Sequence, residues 1–208
     1  MKLHSAGLSP NGKRVRICAA ELGIALDEAP IDTSKGENRA PEYLALNPMG
    51  KWPTLTDGSF ALWESGAITW YLASNGRNGG DRALVPAEPQ GEADTLRWLF
   101  FCSCHVDPYF TALVVERFIK PRRGATADEA LATEAERWLA RFIPVLEQQL
   151  QGKDFVTGRF GLADIALGCT LELSPHVKYD LARYPNIRAW LGRLSERESW
   201  RKFSAPTA

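Results

Sequence analysis

The sequence has little cysteine, no block of like charge and no long apolar run. Its 208 residues contain four scattered cysteines, Cys18, Cys102, Cys104 and Cys169. That density is too low for the disulfide-stapled domains of secreted proteins, so we expect reduced thiols. The run Cys102-Ser103-Cys104-His105 lies in an apolar helical pattern without the second ligand pair of a zinc site. The sequence therefore predicts helix packing there and no metal.

Charge is balanced, with 25 basic and 25 acidic residues, a net charge of zero and a pI near 6.8. The densest basic patch is only Lys120-Pro121-Arg122-Arg123. This balance is not typical of proteins that bind nucleic acid or membrane surfaces. No apolar run approaches the ~18 residues of a membrane helix, and the first residues lack the apolar core of a signal peptide. We expect a cytoplasmic protein with no membrane or nucleic-acid partner.

The first third of the chain reads as an α/β layer. Residues 2–5 predict a strand, the apolar spacing after Lys13 predicts a helix that ends at Gly23, and residues 25–31 predict a second strand. Strand, helix and strand over about thirty residues form a βαβ unit, which implies parallel pairing and a right-handed crossover. Open α/β sheets place ligands at the carboxyl edge of such strands.

A short helix and a hairpin follow. Pro41 begins a helix of one or two turns, and Asp57-Gly58 is a favoured hairpin turn between two apolar runs. A helix that begins near Ser65 completes the order β-α-β-α-β-β-α. We predict an α/β thioredoxin-like domain over residues 1–76.

A composition break then separates this domain from a helical one. The segment Arg77-Asn78-Gly79-Gly80-Asp81-Arg82 is followed by Pro86 and Pro89, which predicts a linker over residues 77–89. Beyond it the apolar spacing is helical almost throughout, so residues 90–208 predict an all-α helical bundle domain. Asp107-Pro108 predicts a kink or break in its first helix.

Two short stretches of the first domain predict a binding site. Pro53 cannot donate to a sheet ladder and so marks a strand start or edge. If the Trp52-Pro53 bond is cis, the backbone of Trp52 faces outward and can pair with an extended peptide-like ligand. Ser65, at the mouth of an apolar helix, would offer its hydroxyl and unpaired N–H groups to a carboxylate of that ligand. The alternatives are that Pro53 only marks an edge and that Ser65 is a plain helix cap.

The motifs in both halves resemble those of cytosolic glutathione S-transferases, over essentially the full length. The resemblance rests on the runs from Ser9 to Val15, from Asn47 to Leu55, from Glu64 to Leu72, from Phe160 to Ala166 and from Tyr184 to Leu191. It implies a homodimer, one glutathione site in each thioredoxin-like half, and an adjoining pocket for a small hydrophobic electrophile against the helical half.

Carried onto matching positions, the resemblance assigns three parts of the glutathione site. Trp52, beside cis-Pro53, would bind the cysteinyl part through its backbone, and Glu64 with Ser65 would hold the γ-glutamyl end. Lys51, Arg39 or Asn38 would meet the glycine carboxylate, although Asn38 and Arg39 could equally be solvated loop residues. The family prefers a small aliphatic residue where this chain has Trp52, whose ring could narrow the cleft.

The resemblance leaves two candidates for the residue that activates the thiol. Ser9 aligns with the serine of theta, zeta and phi-like classes, and Asn11 lies where some bacterial classes use an amide. A hydroxyl that donates to sulfur favours the thiolate. Ser9 could instead cap the helix that follows. There is no cysteine in this loop, which argues against thiol–disulfide exchange.

For the electrophile pocket we expect Leu8, Phe101, His105 and Tyr109, although a lone histidine in an apolar helix is more often a packing residue. Asp164 should stabilise the start of its helix, because Gly161 takes the place of the family's capping hydroxyl.

The sequence thus predicts a glutathione S-transferase that activates the thiol through Ser9. One alternative is a glutathione-dependent isomerase or dehalogenase on the same site, although zeta members carry Ser-Ser-Cys where this chain has Ser9-Pro10-Asn11. The other alternative is a non-enzymatic binding or regulatory protein of the same fold.

Overall fold

A computed structural model describes residues 1–7, 9–74 and 84–204 of the chain. They form two compact units. The first comprises residues 1–85 together with the C-terminal segment from Glu198, and the second comprises Pro86–Arg197.

The first unit is a four-stranded sheet with helices. Its strands are β1 (Lys2–Ser5), β2 (Asp27–Pro30), β3 (Thr54–Asp57) and β4 (Phe60–Trp63). Its helices are α1 (Pro10–Glu21), α2 (Pro41–Leu46) and α3 (Ser65–Ser74), with a 3-10 turn at Glu37–Arg39. The strand order is β2-β1-β3-β4, with β1 parallel to β2 and both other pairs antiparallel. The predicted βαβ unit, hairpin and fold class are confirmed.

Apolar side chains on the inner faces hold this unit together. Leu3 of β1 lies opposite Leu55 of β3, and both are buried. Ile17 of α1 and Ile68 of α3 are fully buried where those two helices pack together. Burial of a side chain of this size stabilises a fold by roughly 1.5–3 kcal/mol, so these four residues contribute much of the layer's stability.

The hairpin turn lies one residue later than predicted. Asp57 pairs with Phe60, so the two-residue loop is Gly58-Ser59 and not Asp57-Gly58. Gly58 has φ +59°, which the first central residue of a tight hairpin turn requires and which glycine adopts without strain.

The C-terminal helix packs with the first unit. Helix α10 (Glu198–Phe203) contacts α1, and the hydroxyl of Ser199 donates to the carboxylate of Glu21. The ammonium of Lys13 donates to Ser204 Oγ at 3.3 Å. The sequence prediction places the residues of α10 in the helical domain of residues 90–208. Residues 77–83 of the predicted linker lie outside the described residues, so its bounds remain a prediction.

The second unit is helical, as predicted. Its helices are α4 (Pro89–Phe101), α5 (Asp107–Val114), α6 (Lys120–Arg122), α7 (Glu129–Gln149), α8 (Leu162–Leu171) and α9 (Pro185–Ser195). Two π turns, Cys102–Val106 and Val115–Ile119, join α4, α5 and α6 into one run. Of the predicted kink or break at Asp107-Pro108, the break does not occur, because the helical run continues through these residues. The N–H of Asp107 donates to Cys102, five residues back, and this wider register just before the proline accommodates its missing N–H.

By length and mean hydropathy, one helix among the described residues could cross a membrane. It is this same run, Pro89–Arg122. In the structure the run packs against α7 and α8. Since core helices of soluble proteins can reach the same length and hydropathy, the criterion does not by itself indicate a membrane span.

Asp164 organises the start of α8, as the sequence predicts. Its side chain is fully buried. Oδ2 accepts from the N–H of Gly161 at 2.9 Å, and Oδ1 accepts from the N–H of Val156 at 2.9 Å and from Trp190 Nε1 at 2.8 Å. Burial raises the pKa of this carboxyl to about 6, against the opposing effect of the three N–H donors. One side chain thereby joins a loop, α8 and α9.

We predict that Asp164→Asn lowers the free energy of unfolding by about 1–3 kcal/mol, because one buried N–H donor then faces an amide N–H instead of an acceptor. Urea denaturation measures the change.

The control is Asp180→Asn. Asp180 is exposed and accepts from the Ala182 N–H through Oδ1, a bond that asparagine can keep, so a change within about 0.5 kcal/mol is expected. Equal losses in the two variants would contradict the role of Asp164.

Candidate functional site

Ser9 lies at the start of α1 in the helix-capping position. Its backbone is extended and its carbonyl accepts from the N–H of Lys13 at 2.8 Å. Its Oγ accepts from the N–H of Gly12 at 3.5 Å, a distance at which a hydrogen bond is weak. Ser9 therefore makes the helix-capping contact that the sequence left open as an alternative to a role at the thiol. Capping uses only an oxygen lone pair, so the hydroxyl proton can still be donated to a ligand.

Helix α1 approaches β1 closely at Gly12. A Cβ at this position would lie 2.3 Å from Ser5 Oγ, so a larger residue would force the helix or the strand to move. Ser5 is the last residue of β1. The close approach therefore sets the start of α1, with Ser9 and Asn11, at the carboxyl end of β1, where open α/β sheets bind ligands.

The buried guanidinium of Arg14 connects the starts of two helices. Arg14 Nη1 donates to Asn11 Oδ1 at 2.8 Å and to Ser65 Oγ at 3.5 Å, and Ser65 Oγ donates to Asn11 Oδ1 at 3.3 Å. Arg14 and Ser65 are 6% and 7% exposed, whereas Asn11 is exposed. We call Asn11, Arg14 and Ser65 the Arg14 cluster. Sequence reasoning missed Arg14, although a charged residue beside Val15 in an apolar helix was a signal.

The loop before β3 is shaped by a second polar cluster. Tyr43 Oη and Asn47 Nδ2 both donate to the carbonyl of Lys51, the latter at 2.8 Å, and both contact Thr54 Oγ1. These three side chains are at most 7% exposed, and burial raises the pKa of Tyr43. Buried polar groups of this kind must be paired, so the loop has one stable path. The sequence did not single out Tyr43 or Thr54, because their pairing depends on residues brought together only by the fold.

Trp52 and Pro53 end this loop with a cis peptide bond, as the sequence interpretation required. Within the described residues the amide and carbonyl of Trp52 have no hydrogen-bond partner. Pro53 is buried and Trp52 is half-buried. The backbone of Trp52 is therefore available to an extended ligand.

The predicted cationic end of the site surrounds Gly50. Asn38 Nδ2 donates to the carbonyl of Gly50 at 2.9 Å, and the Arg39 side chain lies against the same glycine, 3.1 Å from where a Cβ would stand. Arg39 and Lys51 are exposed. The fold thus brings Asn38, Arg39 and Lys51 to one loop, where Asn38 supports the backbone and two exposed cations stand beside it.

Glu64 precedes α3 in an unusual backbone conformation. Its φ is +71°, its side chain is exposed, and its carbonyl accepts from the N–H of Ile68 at 2.9 Å. Only a few per cent of non-glycine residues have positive φ, and such residues cluster at functional sites. Ser65 follows as the first residue of α3.

The residues expected to line an electrophile pocket form an aromatic row in the second unit. The ring of Phe101 lies 5.9 Å from that of His105, and His105 lies 4.8 Å from Phe142 of α7. Tyr109 stacks on Trp138 at 5.8 Å and contacts Phe142. His105 thus packs between two aromatic rings, which is the packing role that the sequence left open as its alternative. The sequence did not identify Trp138 or Phe142, although their spacing of four residues on α7 was a signal. Leu8 lies outside the described residues.

The cysteines and other metal-ligating side chains form no cluster in the described ranges. None of the four cysteines, all within these ranges, forms a disulfide bond, and burial raises the pKa of the Cys18 thiol. Cys104 is exposed and adjoins His105, but no three His, Cys, Asp or Glu side chains of residues 1–7, 9–74 and 84–204 converge as a metal site.

Comparisons with known proteins match both units. Residues 1–74 match the family model for the glutathione S-transferase N-terminal domain, and residues 98–198 match that for the C-terminal domain. A glutathione S-transferase of Arabidopsis thaliana is 35% identical over 205 residues, which cover 96% of this chain and 94% of the relative.

Solved structures agree with these matches. The crystal structure of a glutathione transferase from Populus trichocarpa is similar with a TM-score of 0.90 at 28% identity, covering 97% of this chain and 96% of that one. The structure of a glutathione S-transferase bound with lactoylglutathione has a TM-score of 0.82 at 27% identity, covering 97% of each chain.

We predict that Glu64→Gly raises the free energy of unfolding by up to about 1 kcal/mol, because glycine relieves the left-handed strain while adding entropy to the unfolded chain. Thermal and urea denaturation measure it. Lys178→Gly is the matched control, since Lys178 is also exposed and has φ +54°, and it should gain a similar amount. A loss at Glu64 beside a gain at Lys178 would show that the Glu64 side chain itself stabilises the fold.

Proposed function

The chain belongs to the glutathione S-transferase family, and we propose that it binds glutathione across the starts of α1, β3 and α3 and activates the thiol through Ser9. Members of this family are transferases, and glutathione is the co-substrate. One contact supports the proposal above all. Ser65 Oγ lies 3.3 Å from Asn11 Oδ1, so the residue assigned to the γ-glutamyl end and a candidate for the thiol end adjoin each other.

Each part of glutathione meets a group of fitting chemistry. The amide and carbonyl of Trp52, which have no backbone partner among the described residues, suit the cysteinyl backbone, which would add as a short strand. The exposed carboxylate of Glu64 suits the γ-glutamyl ammonium. The hydroxyl of Ser65 and the N-terminus of α3 suit the γ-glutamyl carboxylate, since helix N-termini favour anions.

The glycine carboxylate of glutathione suits the cations beside Gly50. Lys51 and Arg39 are exposed there and can approach an anion without a desolvation cost. Asn38 already donates to the carbonyl of Gly50, so it acts in this proposal by holding the loop and not by touching the ligand.

Ser9 would act on the thiol by donating a hydrogen bond from its hydroxyl to the sulfur, which stabilises the thiolate once the thiol proton has passed to solvent. The Ser9 oxygen only weakly accepts from the N–H of Gly12, and the N-terminus of α1 adds a favourable field for an anion. One charge-assisted hydrogen bond is worth roughly 1.5–3 kcal/mol, or about one to two pKa units. The sulfur lone pair of the thiolate then forms the S–C bond to an electrophilic carbon. In a substitution the pair of the broken bond departs with the leaving group, and in an addition the π pair of the acceptor moves onto its far atom and is protonated from solvent.

Asn11 is the second candidate for the group that contacts sulfur. Its Oδ1 accepts from Arg14 and Ser65, and its exposed Nδ2 has no partner among the described residues. An amide N–H is a neutral donor, as is a hydroxyl, so either residue favours thiolate by the same physical effect.

The remaining features are proposed from the family and the aromatic row. A small hydrophobic electrophile suits Phe101, His105 and Tyr109, whose rings are half-buried or exposed. A homodimer, a cytoplasmic location and a role in detoxification are typical of the family and are proposed for this chain.

We predict that Ser9→Ala raises the pKa of the bound glutathione thiol by about one to two units and lowers kcat/KM by about ten- to thirty-fold near neutral pH. The rate loss saturates near thirty-fold, because only a few per cent of a free thiol is ionised there. Glutathione affinity should change little. Thiolate absorbance against pH, steady-state rates and calorimetric titration measure the three quantities.

The matched variant is Ser9→Thr, which keeps a hydroxyl and should retain most of the activity. If Ser9→Ala leaves both rate and thiol pKa unchanged, Asn11 becomes the candidate. If the unmodified protein binds no glutathione, the whole proposal fails.

We predict that Ser65→Ala weakens glutathione binding roughly ten- to a hundred-fold, because it removes a hydrogen bond to a charged carboxylate worth about 1.5–3 kcal/mol. Calorimetric titration measures the dissociation constant. Ser59→Ala is the control, since Ser59 is exposed in the hairpin turn, and it should leave the constant unchanged. An unaltered constant for Ser65→Ala would remove Ser65 from the γ-glutamyl site.

A further inference from the structure

The orientation of the Asn11 amide is determined by its neighbour. Arginine has only hydrogen-bond donors, so the atom of Asn11 that lies 2.8 Å from Arg14 Nη1 must be the oxygen. The Ser65 hydroxyl donates to the same oxygen. The two N–H bonds of Asn11 Nδ2 are therefore turned away from the cluster, on an exposed residue in the first turn of α1 and two positions after Ser9.

One guanidinium nitrogen thus contacts both ends of the proposed glutathione site. The distance from Arg14 Nη1 to Ser65 Oγ is 3.5 Å, longer than its distance to Asn11. Arg14 and Ser65 are both more than nine-tenths buried, where hydrogen bonds are electrostatically stronger than in water. Arg14 also has a further interaction besides these two hydrogen bonds.

Binding of a carboxylate at Ser65 would change this cluster in one definite way. The serine hydroxyl has a single proton, which it now donates to Asn11. When that proton is donated to the γ-glutamyl carboxylate, Asn11 keeps only the bond from Arg14, and Ser65 can still accept from Arg14. Because Ser65 Oγ accepts a hydrogen bond from the charged guanidinium, its O–H is more polarised and donates more strongly to the ligand.

We propose that Arg14 is a positioning residue that keeps the Asn11 amide N–H groups directed at the glutathione sulfur and supports Ser65 as a donor to the γ-glutamyl carboxylate. The proposal rests on the proposed function and extends it. It makes Asn11 a second donor to sulfur beside Ser9 and couples recognition of the γ-glutamyl end to thiol activation through one side chain.

The test is a double-mutant cycle between Arg14→Gln and Asn11→Ala, with the pKa of bound glutathione read from thiolate absorbance. Arg14→Gln should raise the bound thiol pKa by about one unit, a tenfold fall in the thiolate-to-thiol ratio at neutral pH. In the Asn11→Ala background the same substitution should have no further effect, because Arg14 acts on sulfur through Asn11. Arg14→Lys keeps the positive charge and one hydrogen-bond donor. Its bound thiol pKa should therefore lie between those of the unmodified protein and Arg14→Gln.

A second readout separates the two ends of the site. S-methylglutathione has no ionisable thiol, so its calorimetric dissociation constant reports only on binding. Binding should weaken about threefold in Arg14→Gln, because Ser65 then loses its charged donor, and should not weaken in Asn11→Ala, which keeps that donor and removes a competing acceptor of the Ser65 proton. Arg16→Gln is the matched control on the same helix, because Arg16 pairs with Glu28 and should alter neither quantity.

Asn11→Asp keeps the test decisive if Arg14→Gln unfolds. An aspartate still accepts from Arg14, which preserves the cluster, but it replaces the N–H donors by a carboxylate oxygen that disfavours a nearby thiolate. The bound thiol pKa should rise by at least about one unit in this variant. An unchanged thiol pKa in Asn11→Asp would overturn the proposal, as would a shift from Arg14→Gln that is equal in both backgrounds.

Failure of the inference can be told apart from failure of the function. If Ser9→Ala raises the bound thiol pKa while Asn11→Asp does not, the transferase proposal stands and the role of Arg14 and Asn11 falls. If the unmodified protein binds neither glutathione nor S-methylglutathione, the proposed function itself fails.

Discussion

The site of the first unit depends on how closely α1 approaches β1. A single missing side chain, at Gly12, allows the helix to approach within contact of Ser5 at the end of the strand. That contact sets the start of α1 at the carboxyl edge of the sheet, and with it both candidates for contacting sulfur. It also brings Arg14 to the gap between α1 and α3, where a buried charge is tolerable only because polar acceptors surround it.

Two buried polar clusters then determine the rest of the site. The Arg14 cluster joins the starts of α1 and α3, and Tyr43 with Asn47 holds the Lys51 carbonyl in the loop before β3. The Arg14 cluster joins α1 to Ser65, 51 positions away from Arg14, whereas the contacts of Tyr43 and Asn47 span only 4 to 11 positions. Because an unpaired buried polar group costs about 1–3 kcal/mol, such clusters favour one backbone path. Glu64, with its positive φ, directly precedes Ser65 of the Arg14 cluster. The groups proposed to face glutathione are therefore positioned before any ligand binds.

The second unit uses the same physics for stability. Asp164 gathers three N–H donors from a loop, α8 and α9 in a fully buried position, so one carboxylate replaces the capping hydroxyl that Gly161 lacks. Aromatic stacking, by contrast, leaves rings half-exposed between the long helical run and α7. The hydrogen bonds of Asp164 stabilise the fold, and the stacked aromatic rings supply an apolar surface.

The sequence by itself determined the order of elements, the family and the glutathione site as a hypothesis, because periodicity, proline and local motifs act over a few neighbouring residues. Local signals even indicated that Asp164 starts a helix. They placed the hairpin turn one residue early and predicted a kink or break at Pro108 without distinguishing the two, since strand register and a π turn depend on pairing and packing beyond the local window. Only the tertiary structure decided that Arg14 connects Asn11 to Ser65, that Tyr43 and Thr54 shape the loop at Trp52, and that α10 packs on α1. The contacts of Ser65 with Arg14 and Asn11 and the contact of α10 with α1 join residues at least 51 positions apart. Even for Tyr43 and Thr54, which are 11 positions apart, no local pattern encodes which buried polar groups will pair.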